Sequence, residues 1–95
     1  MDESVFPSTN KRHEGDLEAY FIFTGFIDLL PVALKLARQA GYGKGEVIEA
    51  ICKVADKLRE YPPTKNRTAW FAKVFMEKLG EARADILRRN YLQNI

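Results

Sequence analysis

Across the last third of the chain the apolar residues step by three and four. Phe71, Phe75, Leu79, Ala82 and Ile86 fall on one stripe, and Trp70, Val74 and Leu87 widen it. That spacing puts side chains on one face only if the backbone is an α-helix. Asn66, just ahead of the stripe, is a good helix cap. The pattern predicts one long helix over 67–91, or two with a joint at Gly80, since a glycine inside a helix costs about 1 kcal/mol relative to alanine. A helix with so long an apolar face is stable only when other elements cover that face. The rest of the chain must therefore supply them.

Pro62-Pro63 cuts this segment from the one before it, because neither proline donates a backbone hydrogen bond and Pro62 disfavours helix at Tyr61. Upstream, Val47, Ile48, Ile51, Ala55 and Leu58 share one face of a helix expected over 45–60, with Glu49 and Lys53 as an i,i+4 ion pair. Gly-Tyr-Gly-Lys-Gly at 41–45 reads as the turn into it. A further helix is expected from a cap at Asp28, with Pro31 in its first turn, Leu30, Leu34 and Ala37 at helical spacing, and Gly41 at its left-handed end. Tyr20-Phe21-Ile22-Phe23 is also good strand material. A lone strand would have no pairing partner, so a short first helix is expected instead, capped by Asp16 and followed by Leu17, Tyr20, Phe21 and Thr24 at helical spacing. Residues 1–16, rich in turn formers, read as an irregular, flexible leader. The fold class is then all-α: a small bundle of three main helices plus the short first one, with 17–95 as one domain. The length of 95 residues suits a single core.

Several function classes find no support in the residues. The lone cysteine, Cys52, makes no internal disulfide and is expected to be a buried small hydrophobe. Residues 1–18 carry no secretory pattern, so the expected compartment is the reducing cytoplasm. The longest apolar region, 19–34, includes Asp28 and Pro31 and falls short of the roughly 20 residues of a membrane span. His13, the one histidine, has no neighbouring ligand or partner for metal or base chemistry. Glu77 and Glu81 share a helix face without the Glu-x-x-His element of a di-metal bundle. The glycines at 41–45 follow a helix rather than a strand, so they do not form a phosphate loop. The expectation is a chain that is not an enzyme, with no cofactor, no metal, no membrane and no small-molecule substrate.

Charge gives the one lead toward a partner. Residues 1–34 hold two basic against six acidic groups, and 62–95 hold seven basic against three acidic. A basic end attracts anions. Nucleic-acid contact through phosphates is expected at Lys65, Arg67, Lys73, Arg88 and Arg89, provided that these share one exposed face and are not paired with carboxylates. The competing expectation is a homo-oligomeric or partner-binding helical module. Its interface would be the aromatic cluster at Tyr20, Phe23 and Phe26, more than a small core can hide.

Lys65-Asn66-Arg67-Thr68-Ala69-Trp70-Phe71, continued by Lys73-Val74-Phe75-Met76-Glu77-Lys78-Leu79, resembles the start of the last helix in DnaD-like replication initiation and primosome proteins of Gram-positive bacteria. In that family an asparagine-led turn precedes an alanine-aromatic pair and a basic amphipathic helix. The family often has proline where this chain has Arg67. The resemblance implies a helical domain acting in DNA binding or oligomer assembly, with Lys65, Arg67, Trp70 and Lys73 as the positions it singles out. It also implies a place in DNA replication or another nucleic-acid process.

Overall fold

A computed structural model describes residues 14–93, with side-chain exposure over 17–92. The leader expected over 1–16 lies outside these residues except at its end, where 14–16 are helical. The elements are α1 (Glu14–Thr24), a 3-10 turn (Ile27–Leu29), α2 (Leu30–Ala40), α3 (Lys44–Glu60) and α4 (Arg67–Gln93). No strand occurs among the described residues, as expected for an all-α chain.

Each boundary has a local cause. α1 is already helical at Glu14, so Asp16 lies within the helix and is not its cap. It ends at Gly25, whose φ of 86° is left-handed. There Phe26 N–H donates to Phe21 O at 2.8 Å and Gly25 N–H to Ile22 O at 3.1 Å. These two bonds close the helix end by satisfying carbonyls that have no intrahelical partner. Gly41, with φ 81°, closes α2 by the same pair of bonds, from Tyr42 to Ala37 and from Gly41 to Arg38. Asp28 does not cap α2: it sits in the 3-10 turn, Leu29 occupies the cap position, and no side chain caps that helix start. Pro31 lies in the first turn as expected. At the start of α3, Gly43 N–H donates to Glu46 Oε1 at 2.7 Å. Asn66 caps α4, its Oδ1 accepting from Ala69 N–H at 2.8 Å. α4 then runs unbroken through Gly80.

The core is a run of rings joining the first and last helices. Phe71 packs against Phe26 with centroids 5.1 Å apart and against Phe75 at 5.2 Å, and Phe75 meets Phe21 edge-on at 6.5 Å. Trp70, half-buried, stacks on the outer side of Phe26 at 6.4 Å. Leu79, Ile51, Val54 and Val47 extend the core along the α3–α4 interface. Ala33, Ala37, Ala50 and Ala82, all between 0% and 2% exposed, let the helices approach closely. Two positions expected on the apolar stripes depart from it. Leu87 is 60% exposed, because it lies well around α4 from the buried stripe of Phe71, Phe75, Leu79 and Ala82. Cys52 is exposed rather than buried, at the rim of a groove between α1 and α3 that partly shields its thiol.

Charged residues fasten α3 to α4 in a way that helix spacing did not suggest. The expected Glu49–Lys53 pair along α3 does not form. Lys53 reaches Asp85 at 2.9 Å, Glu49 meets Arg89 at 3.2 Å, and Glu46 meets Arg83 at 3.2 Å. Arg83 also donates to Gly41 O at 2.7 Å, and its guanidinium lies 4.2 Å from the Tyr42 ring centre. One arginine thus ties α4 to the α2–α3 turn.

Burial raises the Glu46 carboxyl pKa, but the Gly43 N–H and Arg83 outweigh it and hold the group below its ordinary value of 4.5. A carboxylate whose folded pKa is depressed adds stability above the unfolded pKa, and that stability is lost as pH falls through the folded value. Glu46→Gln should therefore cost about 1 kcal/mol near neutrality, the net size of an ordinary hydrogen bond, since the amide oxygen can still accept from Gly43. The gap to the wild type should close in thermal melts carried from pH 7 down below 4.5. A gap that stays constant over that range would show that the charge is not what Glu46 contributes.

Candidate interaction surface

The aromatic cluster of the first segment divides between inside and outside. Leu17 and Phe21 point inward, 5% and 0% exposed, and Tyr20 is half-buried. Phe26 is not an interface residue. It is 1% exposed, since the left-handed turn at Gly25 folds it back onto Phe71. Phe23 is 63% exposed, and Ile22 beside it is 61% exposed. Ile22 was not among the expected site residues, although it steps off the Leu17–Phe21–Thr24 face and so was readable as outward. Phe23 borders a shallow groove of about 200 Å³ between α1 and α3, shared with Tyr20, Thr24, Cys52, Ala55 and Arg59. Burial raises the Cys52 thiol pKa, and Glu49 and Asp56 raise it further, so the thiol stays protonated.

The five basic positions are not gathered into one unpaired face. Arg67 donates to Asp28 Oδ2 at 2.8 Å and to Gly25 O at 2.7 Å, and its guanidinium stacks 4.7 Å from the Phe26 ring centre. It clamps the α1–α2 turn to the start of α4. Arg88 meets Asp85 at 3.2 Å, and Arg89 meets Glu49 at 3.2 Å. Lys65 and Lys73 are exposed, with no ion pair among the described residues. Lys73 and Arg88 are separated by about 22 Å along α4 at 1.5 Å per residue. The cleft between α3 and α4 is lined by Lys53, Lys57 and Lys78 against Asp56, Glu60 and Glu81, a mixture with no net sign.

The described residues define a small all-α bundle with an aromatic core and an apolar outer face on α1. No family model matches the chain, and no curated protein or solved structure matches it either. None of the described helices is long and apolar enough to cross a membrane.

Proposed function

We propose that this chain is a non-catalytic interaction module that takes up an apolar surface of a protein partner on the outer face of α1. The observation behind this reading is the exposure of Ile22 and Phe23, 61% and 63%, beside a groove in a molecule whose other phenylalanines on α1 and α4 are buried. Adjacent exposed apolar residues of this size are what an interface core is made of, and aromatic rings are enriched there. A photo-crosslinking amino acid at position 23, introduced in cells, tests the reading. A discrete adduct is expected from position 23 and none from Lys35, which is exposed on α2. Equal labelling at both positions, or none at either, would overturn it.

A second reading, a nucleic-acid module, draws on exposed Lys65 and Lys73 at the start of α4 and on the resemblance of that stretch to DnaD-like proteins. Fluorescence anisotropy with oligonucleotides at roughly 50 and 200 mM salt separates the cases, since each phosphate neutralised contributes about −0.9 to the log–log slope. Contacts from two lysines would weaken duplex binding about twelvefold over that range. If the arginines left their carboxylates to contact phosphates as well, the loss would be several hundredfold. The α1 reading expects no salt-dependent binding at tens of micromolar protein.

A further inference from the structure

The outer side of α4 carries a second apolar face, distinct from that of α1. Met76, Gly80, Ala84, Leu87 and Tyr91 are all exposed, with Leu87 at 60% and Tyr91 at 68%. Their spacing of four, four, three and four is that of a seam between two paired helices. Tyr42 flanks it at Gly80, its Oη 3.8 Å from the position a side chain would take there. α3 lies on the opposite side of α4, where Ile86 comes within 3.9 Å of the position a side chain would take at Gly45 and Arg89 reaches Glu49. Every residue from 87 to 92 is exposed.

We infer that a second copy of this chain packs antiparallel on this face. The seam is complementary to itself only in that orientation. A two-fold axis between Ala84 and Leu87 sets Leu87 of each copy on Ala84 of the other, and Tyr91 of each on Gly80. Large side chains then face small ones at both of these steps. The charges agree with the same register. Glu81 and Arg88 lie on the same flank of the seam, and the axis brings Glu81 of one copy to within about 3 Å, along the helix, of Arg88 of the other. Their partners within one chain, Lys78 at 3.1 Å and Asp85 at 3.2 Å, are surface i,i+3 pairs that hold little energy and yield readily. A parallel arrangement would set Tyr91 against Tyr91 and Arg88 beside Arg88.

Two helices paired over about 25 Å bury roughly 500 Å² per copy, short of the roughly 800 Å² of a standard stable interface. The dimer therefore falls among weak, transient contacts. Sedimentation velocity of the full chain from about 5 to 500 μM reads it out. Leu87→Glu, at an exposed position that leaves the fold intact by circular dichroism, should raise the dissociation constant at least tenfold. Glu81→Arg and Arg88→Glu should each weaken association severalfold, and the double variant E81R/R88E should regain most of the loss, because each new charge then meets its opposite across the axis. Phe23→Ser should leave dimerisation unchanged, so failure of the α1 reading and failure of this one are separable. A chain that stays monomeric at 500 μM, dimers indifferent to Leu87→Glu, or a charge swap without recovery would each overturn the inference.

Discussion

Replacing Phe71 with alanine is expected to lower the unfolding free energy by about 4 kcal/mol, the middle of the range for deleting a buried aromatic ring. Phe71 is fully buried, with Phe26 on one side at 5.1 Å and Phe75 on the other at 5.2 Å. Its ring therefore joins the α1–α2 turn to the interior of α4. Removing it opens a cavity that neither neighbour can fill, because Phe75 is also held edge-on by Phe21 at 6.5 Å. A domain of this size has roughly 5–15 kcal/mol to lose. At 4–8 °C per kcal/mol, Tm should fall by about 15–30 °C. Urea denaturation with an unchanged slope would attribute the loss to stability and not to a change of mechanism. A loss under about 1 kcal/mol would mean that the rings do not pack as one column.

The second large effect is a contrast between two phenylalanines three residues apart. Phe26→Ala should cost about 3–4 kcal/mol, and Phe23→Ala less than about 0.5 kcal/mol, because the first is in the core and the second on the surface. The structural reason is the 1% exposure of Phe26 against 63% for Phe23. Phe26 also carries Trp70 on one side and the Arg67 guanidinium on another, at 6.4 and 4.7 Å. Trp70 is the only tryptophan, so its fluorescence reports the change directly. Its emission should shift to longer wavelength in folded Phe26→Ala and stay in place in Phe23→Ala. If Phe23→Ala were the more destabilising variant, the turn at Gly25 would have to run the other way.

The contrast also shows how far residue order alone could place the candidate site. Tyr20, Phe23 and Phe26 are equally aromatic in the sequence. Which of them faces outward depends on where α1 stops. Gly25 turns the chain in the left-handed region, so Phe26 leaves the helical phase of α1 and lands on α4. Ile22 was readable as outward from its phase. Its exposure could not be known until the neighbours of α1 were placed.

The basic residues illustrate the same limit. Five cations near the two ends of one helix look like a footprint for an anion when only their charges are read. In the fold Arg67 closes a turn, Arg89 crosses to α3 and Arg88 pairs within its own helix. The partners of Arg67 and Arg89 lie far from them in sequence, 39 residues for Asp28 and 40 for Glu49, and only packing brings them together.

The sequence by itself determined the all-α class, the extent and phase of α3, the start and phase of α4, the cap at Asn66, the left-handed close at Gly41 and the break at Pro62-Pro63. All of these depend on interactions within a few residues: helical periodicity, backbone donors at helix ends, and the φ preferences of glycine and proline. Only the tertiary structure decided that Asp28 would bind Arg67 rather than cap a helix, that Lys53 would cross to Asp85 rather than pair with Glu49, and that Cys52 and Leu87 would stay exposed. It also decided which aromatic rings of the first segment would close the core. Those outcomes depend on which helix lies beside which, and a long side chain pairs with whatever charge the packing brings within its reach.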